Sequence, residues 1–116
     1  MPQNNRQVGN AWEEAVTDYL RSIGYTILRR NYRTRYSEID IIAQDSEELV
    51  FIEVKYRKDG RSGSPLEAVN AAKQKRITNA AIYYLSENNY SIDNTAIRFD
   101  VVGVCGENIE HIRNAF

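Results

Sequence analysis

Four successive apolar residues, Leu49-Val50-Phe51-Ile52, constrain the fold of this chain more than any other feature. Side chains alternate between the two faces of a strand, so an unbroken apolar run is apolar on both faces. Such a strand has to be covered from both sides, which predicts a central place in a sheet. The chain has 116 residues, the size of one domain, and we expect residues 1–116 to form it.

Two segments have the periodicity of helices. Apolar residues over 8–23 recur at spacings of three and one, and Gly24 follows as a helix stop. Residues 64–67 (Ser-Pro-Leu-Glu) form a capping box with proline at the first helical position. This box predicts a second helix that starts at Pro65 and ends near residue 88.

Short β-rich segments account for the rest of the chain. Three precede the second helix, and the acidic turn between residues 39–43 and 49–56 predicts an antiparallel hairpin. Two more follow the second helix, over 96–104 and 107–113. The predicted order is α-β-β-β-α-β-β, a small mixed sheet flanked by two main helices in an α/β fold. The pattern leaves open whether the helices cover one face each or share one face.

Composition excludes several classes of protein. The single Cys105 forms no internal disulfide, and together with the single His111 it cannot supply the four ligands of a structural zinc site. No apolar run approaches the roughly 20 residues of a membrane span, and the first ten residues lack a signal-peptide core. We therefore expect a cytoplasmic protein with no membrane association.

The net charge of −1 conceals an uneven distribution. Residues 29–76 carry eleven of the fifteen Lys and Arg against eight acids, whereas the remainder carries four bases and eight acids. A basic middle is compatible with a phosphate-binding face, although a solvated surface of mixed charge is the alternative. The candidates for contacts to a nucleic-acid backbone are Arg33, Arg35, Arg57, Lys58, Arg61, Lys73, Lys75 and Arg76.

Three charged residues lie in or at the ends of the two most apolar strands, namely Asp40, Glu53 and Lys55. Buried charges are retained only with a partner or a metal. Glu53 and Lys55 share one strand face, about 6.6–6.8 Å apart at Cα, and Asp40 should reach Glu53 from the neighbouring strand. Two carboxylates and a lysine suit a divalent cation and metal-assisted phosphodiester hydrolysis. Structural ion pairs are the alternative.

The segment Ser37-Glu38-Ile39-Asp40, followed over 50–55 by Val-Phe-Ile-Glu-Val-Lys, resembles the PD-(D/E)xK nuclease signature. From Gly9 to Phe116 the chain is similar to the YraN-like family, which is related to the archaeal Holliday-junction resolvases and predicted to contain endonucleases. Ser37 departs from the glycine usual there. The other matching segments are Gly9-Asn10-Ala11-Trp12-Glu13, Lys73-Gln74, Arg98-Phe99-Asp100-Val101-Val102 and Ile112-Arg113-Asn114-Ala115-Phe116.

The resemblance implies a restriction-endonuclease-like core and a Mg²⁺-dependent endonuclease, with Mn²⁺ as a substitute. Its substrate would be DNA, with branched or junction DNA as a candidate, for which a homodimer with two active sites would suit the two-fold symmetry. The alternatives are a nucleic-acid-binding module without cleavage, and a metal-dependent hydrolase of RNA or nucleotides. By resemblance, the site comprises the metal ligands Asp40, Glu53, the Val54 carbonyl and Glu13 (through water), the catalytic Lys55, and Gln74 near the scissile phosphate.

Overall fold

The computed structural model describes residues 5–57 and 65–116, with side chains from residue 11 onward. Within these ranges the predicted order α-β-β-β-α-β-β and the mixed α/β class are confirmed. No helix of the described chain is both long and apolar enough to cross a membrane. The elements are α1 (Asn5–Ser22), β1 (Thr26–Arg33), β2 (Glu38–Asp45), β3 (Glu48–Arg57), a 3₁₀ turn (Pro65–Ala68), α2 (Ala71–Glu87), β4 (Ile97–Cys105) and β5 (Asn108–Ile112).

The strands form one open mixed sheet in the order β1-β2-β3-β4-β5. The predicted hairpin of β2 and β3 is antiparallel, as are the pairs β1–β2 and β4–β5, whereas β3 and β4 are parallel. A parallel pair needs a crossover connection, which the segment containing α2 supplies. The run 49–52 lies in the central strand β3, and its four side chains are buried as predicted.

The two helices cover opposite faces of the sheet, which settles the point that the sequence left open. Val16 and Leu20 of α1 belong to a core with Val50 and Ile52. On the other face, α2 packs against a core that contains Phe51. Because side chains alternate along β3, this strand contributes apolar residues to both cores. Any polar residue in β3 therefore lies next to one of the two helices.

The start of α2 differs from the sequence prediction. Pro65–Ala68 form a separate 3₁₀ turn, and the α-helix begins at Ala71 rather than at Pro65. Asn70 is the N-cap, and its side-chain oxygen accepts a hydrogen bond from the Lys73 backbone N–H at 2.9 Å. Asparagine is among the strongest N-caps, so this local interaction sets the start of the helix and places Lys73 in its first turn.

The 3₁₀ turn is held close to the sheet by a glycine in β4. A Cβ atom added at Gly103 would lie 2.9 Å from Cβ of Pro65 and closer still to Cγ of the same ring. The buried proline ring therefore occupies the space that any larger residue at position 103 would need. This contact holds the chain that leads into α2 against the sheet.

Candidate functional site

The candidate site lies where β2 and β3 separate. The two strands are paired from Asp45–Glu48 to Ile41–Ile52. Continuing this register by one residue brings Asp40 beside Glu53. Here the backbone N–H of Val54 donates its hydrogen bond to the side chain of Asp40, at Oδ2 and 2.8 Å, instead of to a backbone carbonyl of β2. The hairpin thus places Asp40 beside Glu53, as expected from the sequence.

Asp40 is only partly ionised near neutral pH. Burial and the charge of Glu53 raise the pKa of its carboxyl group from 3.8 to about 7, although the hydrogen bond from Val54 N–H acts in the opposite direction. The charges of Glu38 and Glu13 add smaller upward contributions. A bound cation would stabilise the ionised form of a carboxyl group that lies this close to other carboxylates.

Glu53 is the centre of an ion-pair cluster on the α2 side of the sheet. Its side chain is 7% exposed, and Oε1 lies 2.6 Å from Nζ of Lys73 and 3.7 Å from Nζ of Lys55. Glu53 and Lys55 share a face of β3 as predicted, whereas Lys73 reaches them from the first turn of α2. The sequence had placed Lys73 among the phosphate-contacting residues, and nothing in its local pattern distinguishes it from Lys75.

The two lysines have pKa values that move in opposite directions. Burial, together with the hydrogen bond and charge of Lys73, lowers the pKa of the Lys55 amine. Burial also acts to lower the pKa of Lys73, but the Glu53 carboxylate outweighs it, so that this pKa is raised. Lys55 is therefore the more readily deprotonated of the two, which is the property needed in a group that accepts a proton from water.

The two carboxylates are ligands of the kind that a hard cation takes. Among the described contacts, Oδ2 of Asp40 accepts the Val54 N–H, and the two lysines lie against Oε1 of Glu53. The described part of the chain holds no group of three His, Cys, Asp or Glu side chains arranged for a metal. Mg²⁺ is commonly bound through only one or two carboxylates, with water and phosphate oxygens completing the shell. The donor set suits that mode of binding.

Glu13 lines a cleft beside Asp40, on the α1 side of the sheet. The cleft has a volume of about 150 Å³ and also contacts Trp12, Val54 and Tyr56. The rings of Trp12 and Tyr56 stack with centroids 4.5 Å apart and form one wall.

The Glu13 carboxylate is turned toward β1. Nδ2 of Asn31 donates a hydrogen bond to its Oε2 at 3.2 Å, and Nη2 of Arg30 lies 3.8 Å from the same atom. Glu13 therefore shares the cleft with Asp40 while its own oxygen is held by neighbours, and its role toward a metal stays a prediction.

Gln74 follows Lys73 in the first turn of α2. Its side-chain Nε2 donates a hydrogen bond to the Val69 carbonyl at 3.0 Å, which fixes it to the connection between the 3₁₀ turn and the helix. The described contact is with the backbone rather than with the carboxylates. A role near a scissile phosphate likewise stays a prediction.

The other predicted nucleic-acid contacts are spread over two regions. Arg33 and Arg35 are exposed at the end of β1 and in the turn that follows, and Lys75 and Arg76 are exposed on α2. Arg57 is half-buried at the end of β3. Lys58 and Arg61 lie outside the described residues.

A second polar cluster in the sheet was not anticipated from the sequence. Asp100 of β4 is fully buried and binds Arg98, Tyr25, His111 and the backbone N–H of Asn114. The hydrogen bonds that these groups donate more than offset burial and hold the pKa of Asp100 well below its usual range. His111 contacts both Asp100 and the Tyr19 hydroxyl, which makes it a structural member of this cluster.

Fold and site together define a small mixed α/β protein with an acid–lysine cluster at the point where two central strands separate. The chain belongs to the uncharacterised protein family UPF0102, whose family model matches residues 12–104. The matched segment contains every predicted site residue, from Glu13 to Arg76.

Relatives in the same family match along nearly their whole length. A UPF0102 protein of Lachnoclostridium phytofermentans is 48% identical over 113 residues, which cover 97% of this chain and 95% of the relative. One from Clostridioides difficile is 44% identical and covers 97% of this chain and 99% of the relative. One from Desulforapulum autotrophicum is 45% identical, with coverage of 100% and 98%.

Proposed function

We propose that this protein is a metal-dependent endonuclease that hydrolyses phosphodiester bonds in DNA. The observation that carries the proposal is the convergence of Asp40, Glu53 and Lys55 at one gap between two central strands. An apolar sheet accommodates such charges at considerable cost, and the charge of Glu53 acts on the Asp40 carboxyl across the gap. The resemblance to PD-(D/E)xK nucleases connects this arrangement to DNA cleavage.

Asp40, Glu53 and the Val54 carbonyl would hold Mg²⁺, for which Mn²⁺ would substitute. When bound, the cation supplies polarisation of a phosphoryl oxygen and a lower pKa for an attacking water. The Val54 N–H fixes the orientation of the Asp40 carboxylate through its 2.8 Å hydrogen bond. Lys73 restrains Glu53 from the α2 side through their 2.6 Å ion pair.

Lys55 has the position and the chemistry to orient a water and accept its proton. Its amine lies 3.7 Å from Oε1 of Glu53, and its lowered pKa favours the neutral form that can act as a base. Glu13 and Gln74 are the assisting residues that the resemblance suggests. Branched or junction DNA is the proposed substrate, bound by a homodimer.

A binding module without cleavage activity is the second candidate. The engagement of Oε1 of Glu53 by two lysines favours it, since an ion pair of this kind is also what a purely structural cluster would contain. Cleavage assays separate the two candidates directly.

The decisive experiment is a cleavage panel in Mg²⁺ and in Mn²⁺ with linear duplex, single strand, flap and four-way junction, together with matched RNA. The variants Asp40→Asn, Glu53→Gln and Lys55→Ala should each lose at least about 100-fold in rate. Asp18→Asn is the matched control, because its carboxylate is 70% exposed on α1 and should not matter.

The outcomes of this panel differ for each candidate. Activity that survives Glu53→Gln and Lys55→Ala would point to a contaminating nuclease and contradict the proposal. DNA binding without cleavage of any substrate would establish the binding module. Calorimetry with Mn²⁺ on the wild type and on Asp40→Asn tests the metal site independently of activity, and equal heats for both proteins would exclude Asp40 as a ligand.

A further inference from the structure

A groove lined by tyrosines lies on the exposed side of α2. It has a volume of about 400 Å³ and is lined by Tyr36, Asn79, Ile82, Tyr83, Ser86 and Ile92. The rings of Tyr36 and Tyr83 are in edge contact with centroids 6.5 Å apart, yet the two residues are 37% and 47% exposed. Single exposed apolar side chains are ordinary, but several that converge on one groove mark an interaction surface.

A second groove, rich in arginine, shares Tyr83 as a wall. It has a volume of about 460 Å³ and is lined by Arg33, Thr34, Arg35, Tyr83 and Glu87. The Arg35 guanidinium lies 5.3 Å from the centroid of the Tyr36 ring and donates a hydrogen bond to the Tyr36 hydroxyl at 3.3 Å.

The two arginines are available to an anionic ligand. No carboxylate of the described chain pairs with Arg35. Arg33 has an ion pair with Glu38 at 3.5 Å, but its side chain is 80% exposed, and pairs of this kind contribute little. The acid in the groove, Glu87, accepts a hydrogen bond from the Tyr32 hydroxyl at 3.2 Å.

These grooves lie at the same end of the sheet as the carboxylates. The turn over 34–37 joins β1 to β2, and Asp40 follows this turn within the first residues of β2. Helix α2 connects the two regions from the other side, since Lys73 lies in its first turn and Tyr83 lies ten residues further along, in its C-terminal half. A nucleic acid that occupies the candidate site therefore has a path toward the tyrosines.

We propose that the two grooves bind unpaired nucleotides beside the cleavage site, with bases stacked on Tyr36 and Tyr83 and phosphates bound by Arg33 and Arg35. The alternation of aromatic rings and guanidinium groups matches the alternation of bases and phosphates. Bases in a duplex are already stacked on one another, so exposed rings favour only unpaired ones. The inference rests on the proposed function and names its substrate class, DNA with a single-stranded segment.

Binding assays in EDTA test the inference without cleavage. The probes are a fluorescein-labelled duplex with a single-stranded tail of about ten nucleotides, within the range that single-strand-binding sites cover, and the blunt duplex. The variants are Tyr36→Ala and Tyr83→Ala, with Tyr36→Phe and Tyr83→Phe as conservative counterparts. Tyr90→Ala is the matched control, because Tyr90 is 36% exposed but lines neither groove.

The alanine variants should bind the tailed probe roughly 5- to 100-fold more weakly, the range expected for loss of one base-stacking contact. Binding to the blunt duplex should stay within about twofold, because phosphate contacts alone hold it. The phenylalanine variants and Tyr90→Ala should retain the tail preference, since the stacking rings stay in place.

Several results would overturn the inference. These are equal losses on both probes, no loss on either, phenylalanine variants as weak as alanine variants, or a wild type with no tail preference. Light scattering gives a further test. If the wild type is a dimer and Tyr83→Ala is a monomer with unchanged binding to the tailed probe, the groove binds a second copy of the chain instead.

The results also separate this inference from the nuclease proposal. Tail binding through the tyrosines without cleavage in Mn²⁺ supports the inference and contradicts the nuclease proposal. Metal-dependent cleavage that is unchanged in Tyr36→Ala and Tyr83→Ala supports the nuclease proposal and contradicts the inference. A wild type that binds neither probe contradicts both.

Discussion

Two aspartates in one sheet, the fully buried Asp100 and the half-buried Asp40, have opposite surroundings. Asp100 accepts hydrogen bonds on both oxygens, from Arg98 and Asn114 on Oδ1 and from Tyr25, Arg98 and His111 on Oδ2. Its pKa lies well below the usual range. Within the described part of the chain Asp40 accepts a hydrogen bond from Val54 N–H, and the pKa of its carboxyl is raised to about 7.

The difference indicates what each cluster is for. A carboxylate whose oxygens are all satisfied by donors joins distant parts of the fold and has no capacity left for a ligand. A carboxylate with a raised pKa reduces stability when it is ionised, and such groups are concentrated at functional sites. The Asp100 cluster is therefore structural, whereas the Asp40–Glu53 cluster has the raised carboxyl pKa that the proposed cation site would relieve.

The largest expected effect is on the Asp100 side. Asp100→Asn removes the charge that compensates Arg98 and presents amide hydrogens to donors, so we expect a loss of about 3–5 kcal/mol in the free energy of unfolding. Urea denaturation at pH 7 measures it, with Asp18→Asn as the exposed control. A loss below about 1 kcal/mol would show that the cluster is not structurally important.

The second expected effect separates the clusters by their response to divalent cations. Mn²⁺ at about 100 times its dissociation constant should stabilise the wild type by about 2.7 kcal/mol through binding to the folded state. Asp40→Asn and Glu53→Gln should lose this stabilisation, whereas Asp18→Asn should keep it. Thermal unfolding with and without Mn²⁺ measures it, and equal shifts in all four proteins would place the cation elsewhere.

The third expected effect concerns pH in the absence of metal. The pKa of Asp40 is 3.8 ordinarily and about 7 in the fold, so between these values the folded protein binds more protons than the unfolded chain. Its contribution to the free energy of unfolding therefore falls as pH rises from about 4 to about 7. Asp40→Asn keeps an acceptor for Val54 N–H without the charge, and should be more stable than the wild type at pH 8 by about 1–2 kcal/mol.

Urea denaturation in EDTA at pH 5 and pH 8 checks this third prediction. The advantage of Asp40→Asn should shrink at pH 5, where the wild-type carboxyl is protonated. Asp100 has the opposite sign, since its contribution is full above the ordinary pKa of 3.8 and is lost as pH falls toward its lower folded value. An Asp40→Asn protein that is less stable than the wild type at pH 8 would contradict the assigned pKa.

The sequence predicted what depends on local pattern and missed what depends on packing. The order of elements along the chain and the central strand followed from periodicity, and Asp40, Glu53 and Lys55 were found because charges are rare in apolar strands. Lys73 was missed as a partner of Glu53, because its position depends on where α2 starts and how it packs.

The Asp100 cluster was missed for a related reason. Its hydrogen bond with Tyr25 joins residues 75 positions apart, and no short-range pattern encodes such a contact. The Glu13 contacts with Arg30 and Asn31 likewise depend on how α1 lies against β1. Polar partners brought together by tertiary packing are thus the part of both clusters that periodicity cannot supply.

The smallest expected effect concerns the basic residues of the two clusters. In the Asp100 cluster, Arg98 and His111 act together on one carboxylate. In the Glu53 cluster, Lys73 and Lys55 compete, because the Lys73 ammonium stabilises Glu53 while lowering the pKa of Lys55. Lys73→Met removes that repulsion and leaves Glu53 to Lys55 alone, so the pKa of Lys55 should rise, with stability lowered by about 1 kcal/mol.

NMR titration of the lysine side chains in EDTA measures this change, with Lys75→Met on the exposed side of α2 as the control. A Lys55 pKa that is unchanged or lower in Lys73→Met would mean that burial alone sets it. A Lys55 pKa that rises in Lys73→Met but not in Lys75→Met would show that the charge of Lys73 on α2 lowers the pKa of the proposed base. The acid–lysine cluster would then differ from the Asp100 cluster in its basic residues as well as in its carboxylates.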